Sequence, residues 1–223
     1  MLKIAPQYTC FLFDMDGTLV DTEPVGPKVF KDLFNDNGVS LTDDEKELFV
    51  KIWRRDGTDI NEDDYLGDLA IKYKISQSVT EFIEEFYRRY KQTIINADEL
   101  PGTSNFLASA KNHGKRLALI TSSKRDQAQA VLEFHKWNRY FDCIVAEEDI
   151  TKFKPDPEPF LIAMDKLSAT ASECIVFEDA KNGAIAGHAA SAFVIGLRAG
   201  NEKQQDLGSA DQVVESFSDL LFE

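Results

Sequence analysis

Positive charge is scarce in this chain: 25 Lys and Arg stand against 39 Asp and Glu, a formal net charge of −14 in 223 residues. Such a field repels nucleic-acid phosphates and anionic lipid headgroups, whose attraction depends on clustered basic side chains, so neither is expected as a partner. Cysteine is sparse as well. Cys10, Cys143 and Cys174 are odd in number and lack CxxC spacing, which argues against a disulfide framework and a zinc site. Each sits in an apolar run (TCFLF, DCIVA, ECIVF) that reads as a buried strand. The three histidines, His113, His135 and His188, fall in or at the ends of predicted helices without ligand spacing, so structural or surface roles are expected for them. No apolar run reaches membrane length, and the chain shows no signal-peptide h-region before its first strand. Together these absences predict a soluble, cytoplasmic protein.

What is present is enough apolar material for a substantial core, with 43% hydrophobic and 29% charged residues and no internal repeat or low-complexity segment. Short apolar runs at Tyr8 to Phe13, Arg116 to Thr121, Phe141 to Ala146, Cys174 to Phe177 and Ala192 to Gly196 read as buried strands. Helical spacing recurs between them, at Thr103 to His113, Arg125 to His135, Pro157 to Leu167 and Asn182 to Ala190. Alternation of this kind predicts an α/β fold: a Rossmann-like parallel sheet with helices on both faces. Ala210 to Leu221 is expected to add an edge strand and a helix. Between residues 21 and 95 the strand signal disappears, and Val25 to Asn37, Thr42 to Ile52, Asp63 to Tyr73 and Val79 to Ile94 read as helices. The predicted organisation is a core of residues 1–20 and 96–223 with an α-helical domain, 21–95, inserted after the first strand.

In an open α/β sheet ligands bind beyond the carboxyl ends of the strands. The first such end carries Asp14-Met15-Asp16-Gly17-Thr18. Two acids this close at the end of a buried strand require a cation, or one must keep a proton, and both conditions suit phosphoryl transfer. One carboxylate, Asp14, can attack phosphorus, while a second, Asp16, protonates the leaving oxygen and later activates water. Gly17 lets the chain turn sharply and Thr18 offers a hydroxyl to the same place. An ordinary Asp-Gly turn closed by side-chain caps would look the same, so the string does not decide the matter by itself.

Later strand ends add partners. Thr121-Ser122-Ser123 precede a helix, placing hydroxyls and free amides where a phosphate could dock, although simple N-capping by Ser122 or Ser123 would use the same residues. Lys152-Phe153-Lys154-Pro155-Asp156-Pro157 holds a lysine between stiffening prolines; Lys154 is the choice for a fixed ammonium and Lys152 the competitor. Phe177-Glu178-Asp179 repeats an apolar run ending in two acids, an oxygen-rich set suited to Mg2+, with Asp179 the choice for a direct ligand.

These four stations, FDMDGTLVDTE, LITSS, KFKPDPEPF and VFEDAKNG, resemble the motifs of the haloacid dehalogenase superfamily, in particular its β-phosphoglucomutase-like branch, over essentially the whole chain. The resemblance implies Asp14 as nucleophile, Asp16 as acid and base, phosphate binding by Thr121 and Ser122, and charge neutralisation by Lys154. It further implies Mg2+ touching Asp14, Asp179 and the Asp16 backbone carbonyl, Glu178 against the metal or one ligand removed from it, and Asn182 and Gly183 shaping the loop behind. The 21–95 insertion would be the cap domain. Ser191-Ala192-Phe193 stands where such proteins often carry an Ala-Gly-Met stretch, a departure that bears on packing.

The retained metal-type acids disfavour attack on carbon. Gly17-Thr18 looks more like the phosphatases than the mutases of the branch, so the expected activity is Mg2+-dependent hydrolysis of a small phosphomonoester, a sugar phosphate or similar metabolite, through an aspartyl-phosphate. The alternatives are a phosphosugar mutase and a non-catalytic phospholigand-binding regulator. Trp53-Arg54-Arg55-Asp56-Gly57-Thr58 is the candidate substrate-reading loop, with Arg54 and Arg55 as phosphate-binding residues through their planar N–H donors, against the plainer alternative of a solvated helix end with Trp53 in the core of the insertion. The acid runs Asp43 to Glu47 and Asn61 to Asp64 are expected to be solvated helix starts. The expected assembly is a monomer or weak homodimer.

Overall fold

The computed structural model describes residues 1–53, 58–198 and 206–222. The chain divides into two compact units, one of Met1–Asp21 with Asp98–Glu223 and one of Thr22–Ala97.

The first unit is built on a six-stranded sheet. After a short β1 (Leu2–Ile4), its strands are β2 (Cys10–Phe13), β3 (Arg116–Ile120), β4 (Cys143–Val145), β5 (Cys174–Glu178), β6 (Phe193–Leu197) and β7 (Gln212–Val214). They run in the order β4-β3-β2-β5-β6-β7, every pair parallel. This is the Rossmann-like α/β architecture. All strands therefore present their carboxyl ends at one edge, with β2 flanked by β3 and β5.

Period-two alternation assigns the faces. Cys10, Leu12, Cys174 and Val176 join Ala118, Ile120 and Val145 on one side, where Phe160, Ala163, Met164 and Leu167 of α7 (Glu158–Leu167) and Ala184 and Ala186 of α8 (Lys181–Ala189) cover them. The opposite face is aromatic. Phe106 of α5 (Thr103–Asn112) stacks on Phe11 at 6.0 Å and meets Phe177 edge-on at 5.4 Å, while Phe13 stacks on Phe177 at 4.8 Å. The remaining helix of this unit, α6 (Arg125–Phe134), follows β3. Two of the cysteines are fully buried and Cys143 is half-buried.

The end of the chain departs from expectation. In place of a strand and a helix, β7 is followed by a 3-10 turn (Phe217–Asp219) and a second short strand, β8 (Leu220–Phe222), which pairs in parallel with β1. Ser216 caps the turn by accepting from the Ser218 N–H. Phe217 is buried against Phe106, with ring centroids 5.0 Å apart, so an aromatic anchor on a 3-10 turn stands where a helix was expected.

Among the described residues the second unit is built of four helices: α1 (Val25–Asp36), α2 (Asp43–Trp53), α3 (Glu62–Lys72) and α4 (Val79–Ile94). Aromatic side chains fill it. Phe30 stacks on Phe49 at 3.9 Å, Phe34 meets Phe82 at 5.0 Å, and Trp53 packs on Tyr90 at 5.0 Å. A β-carbon at Gly26 would sit 2.2 Å from the Trp53 ring, so glycine there lets α1 approach the indole. Asn61 caps α3, and Ser78 with Glu81 forms a capping box on α4.

Glu45 corrects the expectation of a solvated acid run. It is buried and accepts hydrogen bonds from the Thr42 N–H (2.8 Å), the Thr42 hydroxyl (3.0 Å), Lys72 Nζ (2.7 Å) and the Tyr73 hydroxyl (2.8 Å). Burial works against its charge, but these donors outweigh it and lower its pKa to about 2.

Candidate active site

Asp14 follows β2 directly, its N–H donating to the Phe177 carbonyl of β5 at 3.0 Å. That bond carries the strand pairing one residue past β2 and sets the carboxylate beside Glu178, the last residue of β5, and Asp179. Asp14, Glu178 and Asp179 are all buried, and each places a carboxylate oxygen within 4.8 Å of the others. At that separation two ionised carboxylates repel by about 3 kcal/mol for an effective dielectric near 20.

One lysine enters this cluster. Lys154 Nζ lies 2.6 Å from Asp14 Oδ1 and 2.5 Å from Glu178 Oε1, donates to the Ile120 carbonyl at 3.4 Å, and stands 5.2 Å above the Phe160 ring. Its loop is clamped by Glu158 at the start of α7, which accepts from the Thr151 hydroxyl (2.9 Å) and the Lys152 N–H (2.6 Å). Lys152 points elsewhere: its side chain is 68% exposed and its ammonium faces Asp156 at 3.4 Å.

Burial dominates the electrostatics. It raises the pKa of Asp14 despite the pull of Lys154, and raises that of Asp179 well above the usual carboxylate range, reinforced by the charges of Asp14 and Glu178. Glu178 is pushed up to about 7 by burial and then by Asp14, with Lys154 opposing. Burial alone would lower the Lys154 pKa, but the Asp14 and Glu178 charges outweigh it and keep the ammonium protonated. Among the described residues three buried acids face one ammonium, a set short of positive charge, and an all-oxygen donor set of this kind fits a divalent cation.

Two glycines make room for the acids. Gly17 adopts φ +81°, and a β-carbon there would lie 2.2 Å from Asp179 Oδ2. At Gly183, in the first turn of α8, it would lie 1.9 Å from the Glu178 carboxyl carbon. Thr18 is fully buried and donates its hydroxyl to Asp179 Oδ1 at 3.1 Å.

A second group gathers around Asp16, which is half-buried. Its Oδ2 accepts from the Ser123 hydroxyl at 3.0 Å and the Thr121 hydroxyl at 3.3 Å, and the Ser123 N–H donates to Thr121 Oγ1 at 3.0 Å. Ser122 and Asn182 are exposed. Arg54 and Arg55 lie outside the described residues. The residue that sequence reasoning did not single out is Ser123; the Thr-Ser-Ser run marked the loop without saying which hydroxyl meets the acid.

A profile of the haloacid dehalogenase-like hydrolases matches residues 11–197. The chain belongs to this family. Among relatives of this haloacid dehalogenase-like hydrolase is a bifunctional riboflavin kinase/FMN phosphatase of Arabidopsis thaliana, 30% identical over 217 residues that cover 96% of the chain and 55% of the relative. The chain thus spans about half of that protein. A phosphorylated carbohydrates phosphatase of Thermotoga maritima is 30% identical over 179 residues, 80% of each. Among solved structures, a Thermotoga maritima protein provisionally assigned as a beta-phosphoglucomutase superposes with a TM-score of 0.80 at 27% identity, covering 92% of this chain and 93% of that one. Among the described residues no helix is long and apolar enough to cross a membrane.

Proposed function

We propose that this hydrolase is a Mg2+-dependent phosphatase of a small phosphomonoester, a sugar phosphate or similar metabolite, acting through an aspartyl-phosphate on Asp14. The observation that carries the reading is the buried Asp14–Lys154 pair at 2.6 Å, set beside Glu178 and Asp179 at the end of the central strands.

An oxygen of Asp14 attacks phosphorus, and the bond to the leaving oxygen breaks. Asp16 gives that oxygen its proton. In the second half, Asp16 takes a proton from a water that attacks the same phosphorus, which releases phosphate and restores Asp14. Lys154 neutralises charge on Asp14 and on the transferring group throughout, and the Thr121 and Ser122 groups receive the phosphoryl oxygens. The Thr18 hydroxyl donates a hydrogen bond to Asp179 Oδ1, so its part is to hold that carboxylate. Asp14, Asp179 and the Asp16 carbonyl would hold Mg2+, with Glu178 against it or one ligand away. When bound, the cation supplies the positive charge that this acid-rich cluster lacks and stabilises negative charge gathering on the phosphoryl oxygens.

Phosphate release from a panel of sugar phosphates, nucleotides and an aryl phosphate, with Mg2+ present, tests the reading against an Asp14→Asn control. Release is expected from the wild type alone, and equal release by both proteins would sink the assignment. The likeness to the provisional beta-phosphoglucomutase favours one second reading, a phosphosugar mutase. NMR of the products separates the two: a mutase yields isomerised sugar phosphate and needs a bisphosphate activator.

A further inference from the structure

Asp16 and Thr121 share one hydrogen bond that cannot survive substrate binding unchanged. The Thr121 hydroxyl has a single proton, now given to Asp16 Oδ2 at 3.3 Å, and its oxygen already accepts the Ser123 N–H at 3.0 Å. If Thr121 turns that proton toward a phosphoryl oxygen, it withdraws it from Asp16. The Ser123 hydroxyl is then the donor of the pair that stays, and at 3.0 Å it makes the shorter contact in the resting site.

Ser123 is built to stay in place. Its N–H is bound to Thr121, and its carbonyl accepts the Glu147 N–H at 3.1 Å, so both backbone groups are tied to the carboxyl ends of β3 and β4. Lys124, the next residue, caps α6 without a side-chain hydrogen bond. The Asp16 backbone is fixed independently by a bridge to Val20, which leaves the direction of its carboxylate to side-chain contacts.

We infer that Ser123 is a positioning residue for Asp16, holding its carboxyl group toward the leaving oxygen while the Thr121 hydroxyl passes to the phosphate. The inference rests on the phosphatase reading above and adds to it the residue that keeps the acid aimed when the site fills.

Leaving-group dependence tests it. Phenyl phosphate and 4-nitrophenyl phosphate have nearly the same shape, but phenolate needs a proton in the transition state far more than nitrophenolate does. Misaiming the acid should therefore be felt selectively. Ser123→Ala is expected to lower kcat/KM for phenyl phosphate about tenfold and for 4-nitrophenyl phosphate less than twofold, with Ser123→Thr, which keeps the hydroxyl, recovering most of the loss. A crystal structure of Ser123→Ala with a phosphate mimic such as orthovanadate bound, so that Thr121 is engaged elsewhere, should show Asp16 in a new or divided rotamer. No loss, an equal loss on both esters, or an unmoved Asp16 overturns the inference and leaves the phosphatase reading standing. Phosphate release that survives Asp14→Asn overturns both.

Discussion

Lys154 stands between two acids that would otherwise repel each other, its ammonium 2.5 Å from Glu178 and 2.6 Å from Asp14, with its side chain only 10% exposed. Removing it leaves both acids buried beside Asp179 without a compensating charge. Lys154→Met is expected to cost about 3–5 kcal/mol of stability in EDTA, read as a lowered urea midpoint. Phosphatase turnover should fall at least about a hundredfold, the scale of losing one preorganised donor. A midpoint equal to wild type would mean the acids are protonated and indifferent to the lysine.

Divalent cation should stabilise the protein by mass action. At Mg2+ a hundred times its dissociation constant the gain is about 2.7 kcal/mol, roughly 5–10 °C in melting temperature for a chain of this size. Asp179→Asn should abolish that shift, and because it removes one of the mutually repelling buried acids, it should leave the EDTA-treated protein at least as stable as wild type. A full Mg2+ shift in Asp179→Asn would place the ion elsewhere.

Gly183 gives a test that separates helix propensity from site geometry. In an exposed helix interior Gly→Ala stabilises by up to about 1 kcal/mol. Here the new β-carbon would meet the Glu178 carboxyl carbon at 1.9 Å, and Glu178 is held by Lys154. Gly183→Ala is therefore expected to destabilise by about 1–3 kcal/mol through overpacking. Activity should fall with stability, and a thermal shift upward would refute the packing.

Glu45 links the stability of the helical unit to pH. Its folded pKa of about 2 lies below the ordinary value of 4.5, so its contribution is complete above about 4.5 and is lost as pH falls toward 2. Glu45→Gln should flatten that part of the stability profile, and at neutral pH it should cost about 2 kcal/mol, the scale of hydrogen bonds to a charged group. Urea unfolding at several pH values measures both.

The parallel sheet was legible because its central strands are buried on both faces and so read as unbroken apolar runs such as CFLF and CIVF. The acids were legible because each lies at or just beyond such a run, and Lys154 because prolines stiffen the loop that carries it. What escaped depends on partners distant in sequence. Glu45 looks like any first-turn acid until Lys72 and Tyr73, 27 and 28 residues on, are brought to it. β1 has three residues, too few for periodicity, and exists through its pairing with β8. The Ser123 contact with Asp16 spans 107 residues and depends on the turn aiming the hydroxyls of Thr121 and Ser123 inward and leaving Ser122 exposed.

Where the chain leaves the sheet unit and where it returns, the two passages are hydrogen-bonded to each other: Val20 bridges Glu99, the Asp21 N–H donates to the Asp98 carbonyl at 2.8 Å, and the Leu100 N–H to the Leu19 carbonyl at 2.9 Å. The sheet unit therefore holds its own two cut ends together. In topological terms the helical unit is a removable bead on a closed loop: a tight turn of a few residues could replace Thr22–Ala97 without asking any strand to move. Such an excised chain would let the chemistry proposed for Asp14 be studied in the absence of the inserted helices.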